Sequence, residues 1–270
     1  MTLVSDLKIT SSPYESKARV AIYLEMEWSD WLLFPSMEAV QQATKPPAGP
    51  IIPTFYSNVV QFAARNVVFQ EETIRICDVG GSTGRLIFEW LLQFPNTEEA
   101  VLVEPSEAFN IWSKNLLLGL SPVESIPTVG RYANPSSSKP LRRPPRVESF
   151  SSARVSIICA NSSAVPRADG YFDVVTCLNV ADRVRDPREL LSDLRRILKP
   201  DGILILASPM DWRHNDGTTP KENWFENLRE LLPNTVWKIM DEGDIEYACR
   251  LSDRQVISYL SQVVAAKRLS

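Results

Sequence analysis

The chain has 270 residues, of which 44% are hydrophobic and 23% are charged, and it carries a formal net charge of −4 with a pI near 5.3. These values are typical of a globular protein with a large core, and they lack the overall basicity of nucleic-acid-binding proteins. With neither a secretory signal nor an apolar run long enough to cross a bilayer, the sequence predicts a cytoplasmic protein that binds no membrane and no nucleic acid. Four cysteines without a CxxC pair indicate buried thiols, so we expect no bound metal.

Two helical patterns precede the first predicted strand. The run Ser12-Pro13-Tyr14-Glu15 has the form of a capping box and predicts a helix from about 13 to 26. Residues 28–53 are rich in aromatics and prolines and are expected to be irregular, and a second helix is predicted from about 56 to 68. Residues 1–70 are therefore expected to form an N-terminal helical lid or cap. Whether it covers a ligand or only the sheet edge stays open at this stage.

The stretch Ile74–Leu92 predicts a strand, a glycine-rich turn and a helix in succession. The strand ends in the acid Asp78, and the turn is Gly80-Gly81-Ser82-Thr83-Gly84. Glycines without a Cβ let the chain turn sharply, and the free N–H groups at the start of the helix face whatever lies against the turn. This order is typical of the first half of a nucleotide-binding βαβ unit, although a tight turn alone would look the same.

The next predicted strand, 100–104, ends in a second acid, Glu104. It lies about 20 residues after the glycine turn, where nucleotide-binding folds place a carboxylate for the ribose hydroxyls. A helix is predicted over 106–118. Residues 119–150 then form an insertion rich in proline and serine, with a basic cluster for which a solvated loop is favoured over an anionic partner. The cluster comprises Lys139, Arg142, Arg143 and Arg146.

The rest of the chain continues the alternation of strands and helices. Strands are predicted over 155–159, 172–178 and 202–207, and Asp186-Pro187 opens a helix between the last two. Such alternation predicts a parallel sheet with right-handed crossovers, which would place residues 71–270 in one α/β domain. The tail predicts an amphipathic helix and an antiparallel hairpin at the sheet edge, with boundaries near 222–232, 235–241 and 255–266.

Together these features resemble the class I S-adenosylmethionine-dependent methyltransferases. The resemblance implies a Rossmann-like α/β fold whose seven-stranded sheet has the order 3-2-1-4-5-7-6 with strand 7 antiparallel, preceded by N-terminal helices. One departure is Ser82, which stands at the middle glycine of the family's DxGxGxG motif. The shared motifs span about residues 74–209 and comprise the acid with its glycine turn, Glu104, Asn161, the YFDVVTCLNV strand and RRILKPDGILIL.

A narrower resemblance covers nearly the whole chain and is to the C-terminal methyltransferase domain of the ovothiol synthase family, the mercaptohistidine N1-methyltransferases. That family also has a small non-glycine residue at the position of Ser82, followed by Gly84-Arg85. Its iron-dependent sulfoxide synthase domain is absent from this sequence, so a separate sulfoxide synthase is the expected supplier of substrate. Other shared features are Tyr14-Glu15, Ser106-x-Ala108-Phe109, the long insertion, Asn179-x-x-Asp182-Arg183, Thr219-Pro220-Lys221-Glu222-Asn223-Trp224, Arg250 and Arg254.

The resemblance implies that S-adenosylmethionine is the cofactor and S-adenosylhomocysteine the product. The glycine turn would approach the methionine and ribose, Glu104 would bind the ribose hydroxyls, and Tyr14 would close over the methionyl end. Asn161 departs from the family's usual aspartate, but its amide oxygen can still accept a hydrogen bond from the adenine amino group. The cofactor-binding residues implied are Tyr14, Asp78, Gly80, Gly81, Ser82, Gly84, Arg85, Glu104, Pro105, Asn161, Ser162 and Asn179.

The implied reaction is methylation of an imidazole nitrogen in a small amino-acid-like substrate, 5-thiohistidine. Asn179 and Asp182 follow the fourth strand, at the end of the sheet where ligands bind. We expect Asp182 to accept the N–H of the non-reacting nitrogen while Asn179 orients the ring; the alternative is that Asp182 holds the loop through a nearby arginine. Arg250, Arg254 and Lys221 are candidates for binding the substrate carboxylate, and participation in surface ion pairs is the equal alternative. The substrate-binding set is Asn179, Asp182, Arg183, Lys221, Arg250 and Arg254.

Other acceptors and one non-enzymatic role stay open. A protein-histidine methyltransferase shares the Asn-x-x-Asp-Arg pattern and would need an open groove for its peptide. The acceptor could instead be another small imidazole or thiol from a natural-product pathway. A further alternative is that the chain has the fold without the activity and serves as a partner subunit. A nicotinamide dehydrogenase fits least, because the acid before the glycine turn and the RRILKPDG block are methyltransferase features. His214, the only histidine, lies in a polar loop and is expected to be solvent-exposed without a catalytic role.

Overall fold

A seven-stranded mixed sheet forms the centre of the computed structural model. The structure describes residues 15–33, 37–43, 49, 51–67, 73–120, 125–130, 135–140, 154–212 and 219–270. In chain order the strands are β1 (Ile74–Val79), β2 (Thr97–Val103), β3 (Ser125–Val129), β4 (Pro135–Pro140), β5 (Val155–Ile158), β6 (Phe172–Leu178), β7 (Leu198–Ser208), β8 (Trp237–Ser252) and β9 (Gln255–Arg268).

The strand order confirms the predicted fold class. The large sheet runs β5-β2-β1-β6-β7-β9-β8, which is 3-2-1-4-5-7-6 when only its own strands are counted. The first five of these strands pair in parallel, whereas β9 is antiparallel to both of its neighbours. Because parallel strands share one direction, the carboxyl ends of β1, β2, β5 and β6 lie at the same edge, where ligands bind in open α/β sheets.

Helices flank the sheet and supply the residues that cover both of its faces. They are α1 (Lys17–Leu32), α2 (Met37–Gln41), α3 (Phe55–Asn66), α4 (Arg85–Gln93), α5 (Glu107–Ser113, continued by a π-helical turn at Lys114–Leu118) and α6 (Pro187–Ile197). In the described part of the chain, no helix is long and apolar enough to span a bilayer.

The alternating side chains of each strand divide the core into two layers. Ile76 packs with α1, α3 and α4 on one face, while Cys77 packs with α6 on the other. Successive side chains of a strand point to opposite faces, so a strand buried on both sides reads as a continuous apolar run. The N-terminal helices therefore share a core with the sheet, since Trp28 and Phe55 belong to the same cluster as Ile76.

The first helix differs from its prediction at both ends. Its N-cap is Ser16, whose Oγ accepts a hydrogen bond from the Arg19 N–H at 3.2 Å. The capping box predicted at residues 12–15 falls largely outside the described residues. The helix continues to Leu32, into a stretch predicted to be irregular, because Trp28 and Leu32 extend its buried stripe. The prediction for the second helix is confirmed by α3.

Two further elements differ from the sequence interpretation. The 119–150 insertion, expected to be a surface excursion, contains the antiparallel pair β3–β4; among the described residues both are edge strands, where prolines are tolerated. The predicted helix over 222–232 is two separate 3-10 turns, Lys221–Asn223 and Leu228–Leu231. The Asn227 side chain accepts a hydrogen bond from the Arg229 N–H at 2.8 Å, and this cap starts the second turn independently.

Candidate functional site

The glycine-rich turn between β1 and α4 has a left-handed backbone at three positions, Gly80 (φ +75°), Ser82 (φ +48°) and Gly84 (φ +92°). A Cβ at Gly84 would lie 2.8 Å from Leu117 Cδ1, so only glycine fits there without a shift. Ser82 adopts the left-handed region without being glycine, at a typical cost of about 1 kcal/mol or more. The turn therefore keeps a left-handed backbone at Ser82, although this residue is not glycine.

Three buried carboxyl groups surround this turn. Asp78 is the penultimate residue of β1 and accepts a hydrogen bond from Thr176 Oγ1 at 2.7 Å. Glu104 follows β2 and accepts from the backbone N–H groups of Ser82 at 3.1 Å and Ser106 at 2.9 Å. Burial raises the pKa of Glu27, Asp78 and Glu104 to about 7 in each case, and repulsion by Glu27 adds to the shifts of Asp78 and Glu104.

Glu27 belongs to α1, and its neighbours bind that helix to the turn. Thr83 Oγ1 donates a hydrogen bond to Glu27 Oε2 and accepts one from Trp28 Nε1 at 2.8 Å. Arg85 Nη1 and Nη2 each donate to an Asp30 oxygen at 2.7 Å, a buried two-point ion pair. The sequence proposed Arg85 for cofactor binding, whereas here its guanidinium bonds to α1 and to Glu89.

A cavity of about 150 Å³ opens at the carboxyl end of the sheet, and no residue of the glycine turn belongs to its wall. Its walls come from α1, the start of α3, the end of β6 and the β8–β9 hairpin. Asn179, the residue after β6, has a left-handed backbone (φ +58°), and its Oδ1 accepts a hydrogen bond from Ser261 Oγ at 2.8 Å. The lining residues are Met26, Ile51, Ile52, Pro53, Thr54, Phe55, Tyr56, Asn179, Glu246, Tyr247, Ala248 and Ser258.

The other residue expected to contact the acceptor, Asp182, is not in this lining. It is fully buried, and its Oδ2 accepts a hydrogen bond from the Asp211 N–H at 2.9 Å. The Arg183 guanidinium lies 3.7 Å from the same oxygen, although burial still raises the Asp182 pKa. These contacts favour the alternative in which Asp182 holds the loop that follows Asn179.

The three candidates for a substrate carboxylate also lie outside the cavity lining. Arg250 is buried, and its Nε donates to Glu25 Oε1 at 2.7 Å while Nη2 donates to the Gly49 carbonyl. Arg254 and Lys221 are exposed, and the Lys221 ammonium lies 5.9 Å from the centre of the Trp224 ring. Their surroundings favour ion pairing or surface contacts.

The residues expected to lie beside the adenine differ in their exposure to solvent. Asn161 is exposed, and its Oδ1 accepts a hydrogen bond from the Ser163 N–H at 2.9 Å. Ser162 is buried, whereas Pro105 is exposed at the end of β2. Tyr14 and His214 lie outside the described residues, and so do Arg142, Arg143 and Arg146 of the basic cluster. Within the described residues, no group of three or more acidic, histidine or cysteine side chains could hold a metal ion.

The residues present fit S-adenosylmethionine by their chemistry. A carboxylate has about four lone-pair sites, so Glu104 can accept two ribose hydroxyls in addition to its two backbone donors. The positive charges of the sulfonium and ammonium groups of the cofactor would lower the raised pKa values of the buried carboxyl groups, because opposite charge favours their ionised form. Sequence reasoning missed Glu27, Thr83 and Tyr56, since nothing in their local pattern separates them from ordinary helix and turn residues.

Comparisons with known proteins agree with this arrangement. A family model for a methyltransferase domain matches residues 52–259, more than half of the chain. Human thiol S-methyltransferase is 34% identical over 76 residues, 28% of each chain. A ubiquinone biosynthesis O-methyltransferase from Haemophilus ducreyi is 43% identical over 37 residues, 14% of this chain and 16% of that protein. The matched stretches thus span less than a third of either curated relative.

Solved structures share the fold over most of the chain. The CurJ carbon methyltransferase has a TM-score of 0.52 at 14% identity, covering 80% of this chain and 54% of that one. The [4+2]-cyclase SpnF has a TM-score of 0.51 at 14% identity, covering 79% of this chain and 80% of that one. At such identities the likeness shows the fold alone, and these two names show that one fold carries different reactions.

Replacing Glu104 by glutamine should weaken binding of S-adenosylhomocysteine about 10- to 100-fold. The amide nitrogen cannot accept a hydrogen bond, and a bond to a charged acceptor contributes about 1.5–3 kcal/mol. Isothermal titration calorimetry measures the change. Glu107→Gln, an exposed neighbour on α5, is the matched control and should bind within about twofold of wild type. Equal affinities for Glu104→Gln and wild type would show that Glu104 does not hold the ribose.

The raised pKa of Asp78 makes the stability of the ligand-free protein depend on pH. Its neutral form is favoured by folding, so this contribution is present below the ordinary value of 3.8 and is lost as pH rises through about 7. Between pH 5 and 8, wild type should lose about 2–3 kcal/mol more than Asp78→Asn in urea unfolding followed by circular dichroism. The control Asp244→Asn, at an exposed position, should show the same pH dependence of stability as wild type. Parallel pH profiles for wild type and Asp78→Asn would refute the assignment.

Proposed function

This chain belongs to the methyltransferase domain family, and from that premise we propose that it transfers the methyl group of S-adenosylmethionine to a ring nitrogen of 5-thiohistidine, the methylation in ovothiol biosynthesis. The observation that carries the proposal is Asn179, which lines the cavity at the carboxyl end of the sheet. It follows β6 at the ligand-binding end of the sheet, and it belongs to the Asn-x-x-Asp-Arg pattern on which the resemblance rests.

The size and lining of the cavity support a small planar acceptor. A volume of about 150 Å³ suits one ring with short substituents, and a peptide would need a longer groove. Phe55 and Tyr247 lie in the wall with ring centres 5.2 Å apart, and Tyr247 stacks on Tyr259 at 4.9 Å. Aromatic walls favour a flat heteroaromatic ring, which they can contact face-on or edge-on.

The amide of Asn179 is the group that would orient the ring. Its Oδ1 accepts from Ser261, and its NH₂ group can donate to the sulfur substituent of the ring. Such a bond would orient the ring so that its unprotonated nitrogen faces the methyl carbon for an in-line attack, at about 3 Å. We assign this contact to Asn179 alone, because the burial and bonds of Asp182 fit a role in holding the following loop.

The supply of substrate follows from the same proposal. A sulfoxide synthase that installs the sulfur of 5-thiohistidine would supply the substrate. We place both steps in the cytoplasm, where a free thiol stays reduced.

Thiol methylation is the second candidate, because human thiol S-methyltransferase shares 34% identity over 76 residues. The proposed acceptor contains both a ring nitrogen and a thiol, so the position of the new methyl group separates the two functions. A thiol methyltransferase would give a product without a free thiol, whereas an N-methyltransferase would leave the thiol open to alkylation.

The acceptor can be identified by incubating the protein with S-adenosylmethionine and one candidate at a time. The candidates are 5-thiohistidine, histidine, histidine-containing peptides and a simple alkyl thiol, with products followed by mass spectrometry before and after iodoacetamide. We expect methylated 5-thiohistidine that still takes up one alkyl group. A methylated peptide, or a product that resists alkylation, would replace the proposed function by protein-histidine or thiol methylation.

Asn179→Ala should lower kcat/KM for the acceptor about 100-fold, because removing one preorganised donor at a reacting centre typically costs 10²–10³. Asn96→Ala, an exposed asparagine in the loop after α4, is the control and should keep wild-type kinetics. Initial rates measured by liquid chromatography of S-adenosylhomocysteine give both values. An Asn179→Ala enzyme with wild-type kcat/KM would remove Asn179 from the site.

A further inference from the structure

Tyr56 connects the cavity to a carboxyl group that has no access to solvent. Its side chain lines the cavity wall near Asn179, and its hydroxyl donates a hydrogen bond to Glu27 Oε1 at 3.1 Å. Glu27 is 0% exposed, and its other oxygen accepts from Thr83 Oγ1 in the glycine turn. The Glu27 carboxyl group thus connects Tyr56 in the cavity wall to Thr83 in the glycine turn.

We propose that Tyr56 and Glu27 together remove the proton that the acceptor loses when it is methylated. Tyr56 is the catalytic residue, because it is the one that can touch the acceptor. Glu27 acts through Tyr56 as a positioning residue and as the final site of the proton. The inference rests on the proposed function only in needing an acceptor that carries a proton to lose.

The step balances without any further reactant. The bond between the sulfonium sulfur and the methyl carbon breaks, its electron pair stays on sulfur, and the acceptor's lone pair forms the new bond to carbon. The proton leaving the acceptor passes to Tyr56 Oη as the Tyr56 proton passes to Glu27 Oε1. The products are the methylated acceptor, S-adenosylhomocysteine and a neutral Glu27. A neutral imidazole needs this loss whichever nitrogen reacts, because its methylation otherwise leaves a cation.

The charges around Glu27 suit a proton acceptor at neutral pH. Tyr56 from α3, Asp78 from β1 and Glu104 after β2 all interact with it electrostatically, and the Arg85 guanidinium donates to its backbone carbonyl at 2.5 Å. Burial raises its pKa to about 7, against the lowering effect of the Thr83, Ser82 and Tyr56 hydroxyls. Since the base must be ionised first, activity should rise with pH through about 7 and then level off.

Two other carboxylates suit this role less well than Glu27. Asp182 is outside the cavity lining and bonds to the Asp211 N–H. Glu246 lines the cavity but is exposed on β8, where it can exchange protons with water. Among the described lining residues, Tyr56 is the one with a hydrogen bond to a fully buried carboxyl group, and this separates it from Tyr247.

The test compares Glu27→Gln, Tyr56→Phe and the double variant. Glutamine keeps the shape and can accept from Tyr56, but it cannot take the proton. We expect kcat to fall 10²- to 10⁴-fold in either single variant, no further fall in the double variant, and loss of the rise through pH 7. Binding of S-adenosylhomocysteine, measured by calorimetry, should change less than about threefold. Tyr171→Phe removes a similar bond, from a tyrosine hydroxyl to Glu99 at 2.7 Å, at the opposite end of the sheet and should leave kcat unchanged.

A wild-type kcat and pH profile in Glu27→Gln would overturn the proposal, as would a profile abolished by Glu246→Gln alone. If Glu27→Gln does not fold, Tyr56→Phe decides, because it keeps the buried carboxyl group. If wild type methylates a thiol or peptide instead of 5-thiohistidine, the proposed function fails, and the same variants are assayed on that acceptor.

A carbon-13 NMR titration of labelled glutamate side chains tests the proton site without any turnover. The Glu27 resonance is the one missing in Glu27→Gln, and we expect it to titrate near pH 7 in wild type. Ionisation complete below about pH 5, as for an ordinary glutamate, would rule Glu27 out as the proton's final site whatever the acceptor proves to be.

Discussion

The buried contact between α1 and the glycine turn is the interaction on which the site depends. The turn has a left-handed residue at Ser82 that is not glycine, so its shape must be held by its surroundings. Arg85 and Asp30 make a two-point ion pair inside the protein, and Trp28 and Glu27 bond to the Thr83 hydroxyl between them. Breaking such a pair by removing one partner leaves a buried charge and typically costs 3–5 kcal/mol, which keeps helix and turn together.

That contact also determines the electrostatics of the site. By bringing Glu27 against the turn, α1 adds a third carboxyl group to the two that end β1 and β2. Burial raises the pKa of all three groups, and repulsion by Glu27 raises the pKa of Asp78 and of Glu104 further, so each group retains its proton to higher pH. A helix that precedes the sheet in sequence thus tunes groups that belong to the sheet.

The sheet and two of these carboxylates could be predicted from sequence, because both are local features. Asp78 and Glu104 each end an apolar strand, and strand ends of a parallel sheet meet at one edge. Glu27 could not be found this way, since a glutamate in a helix pattern looks like a solvated residue until Thr83, far along the chain, is brought against it. The surroundings of Arg250 could not be predicted for the same reason. The resemblance to the mercaptohistidine methyltransferases suggested that Arg250 binds a substrate carboxylate, whereas in the fold it donates to Glu25.

Both ends of α1 are bonded to other helices. The Glu15 carboxylate accepts hydrogen bonds from the Glu107 and Ala108 N–H groups at 3.0 and 3.1 Å, at the N-terminus of α5. Near its far end the helix is held by Arg85 on α4. A rod of 16 residues, about 24 Å long, is thus joined at both ends to helices that follow different strands. Displacing this helix would break contacts at both of its ends, the surface bonds of Glu15 and the buried ion pair between Arg85 and Asp30.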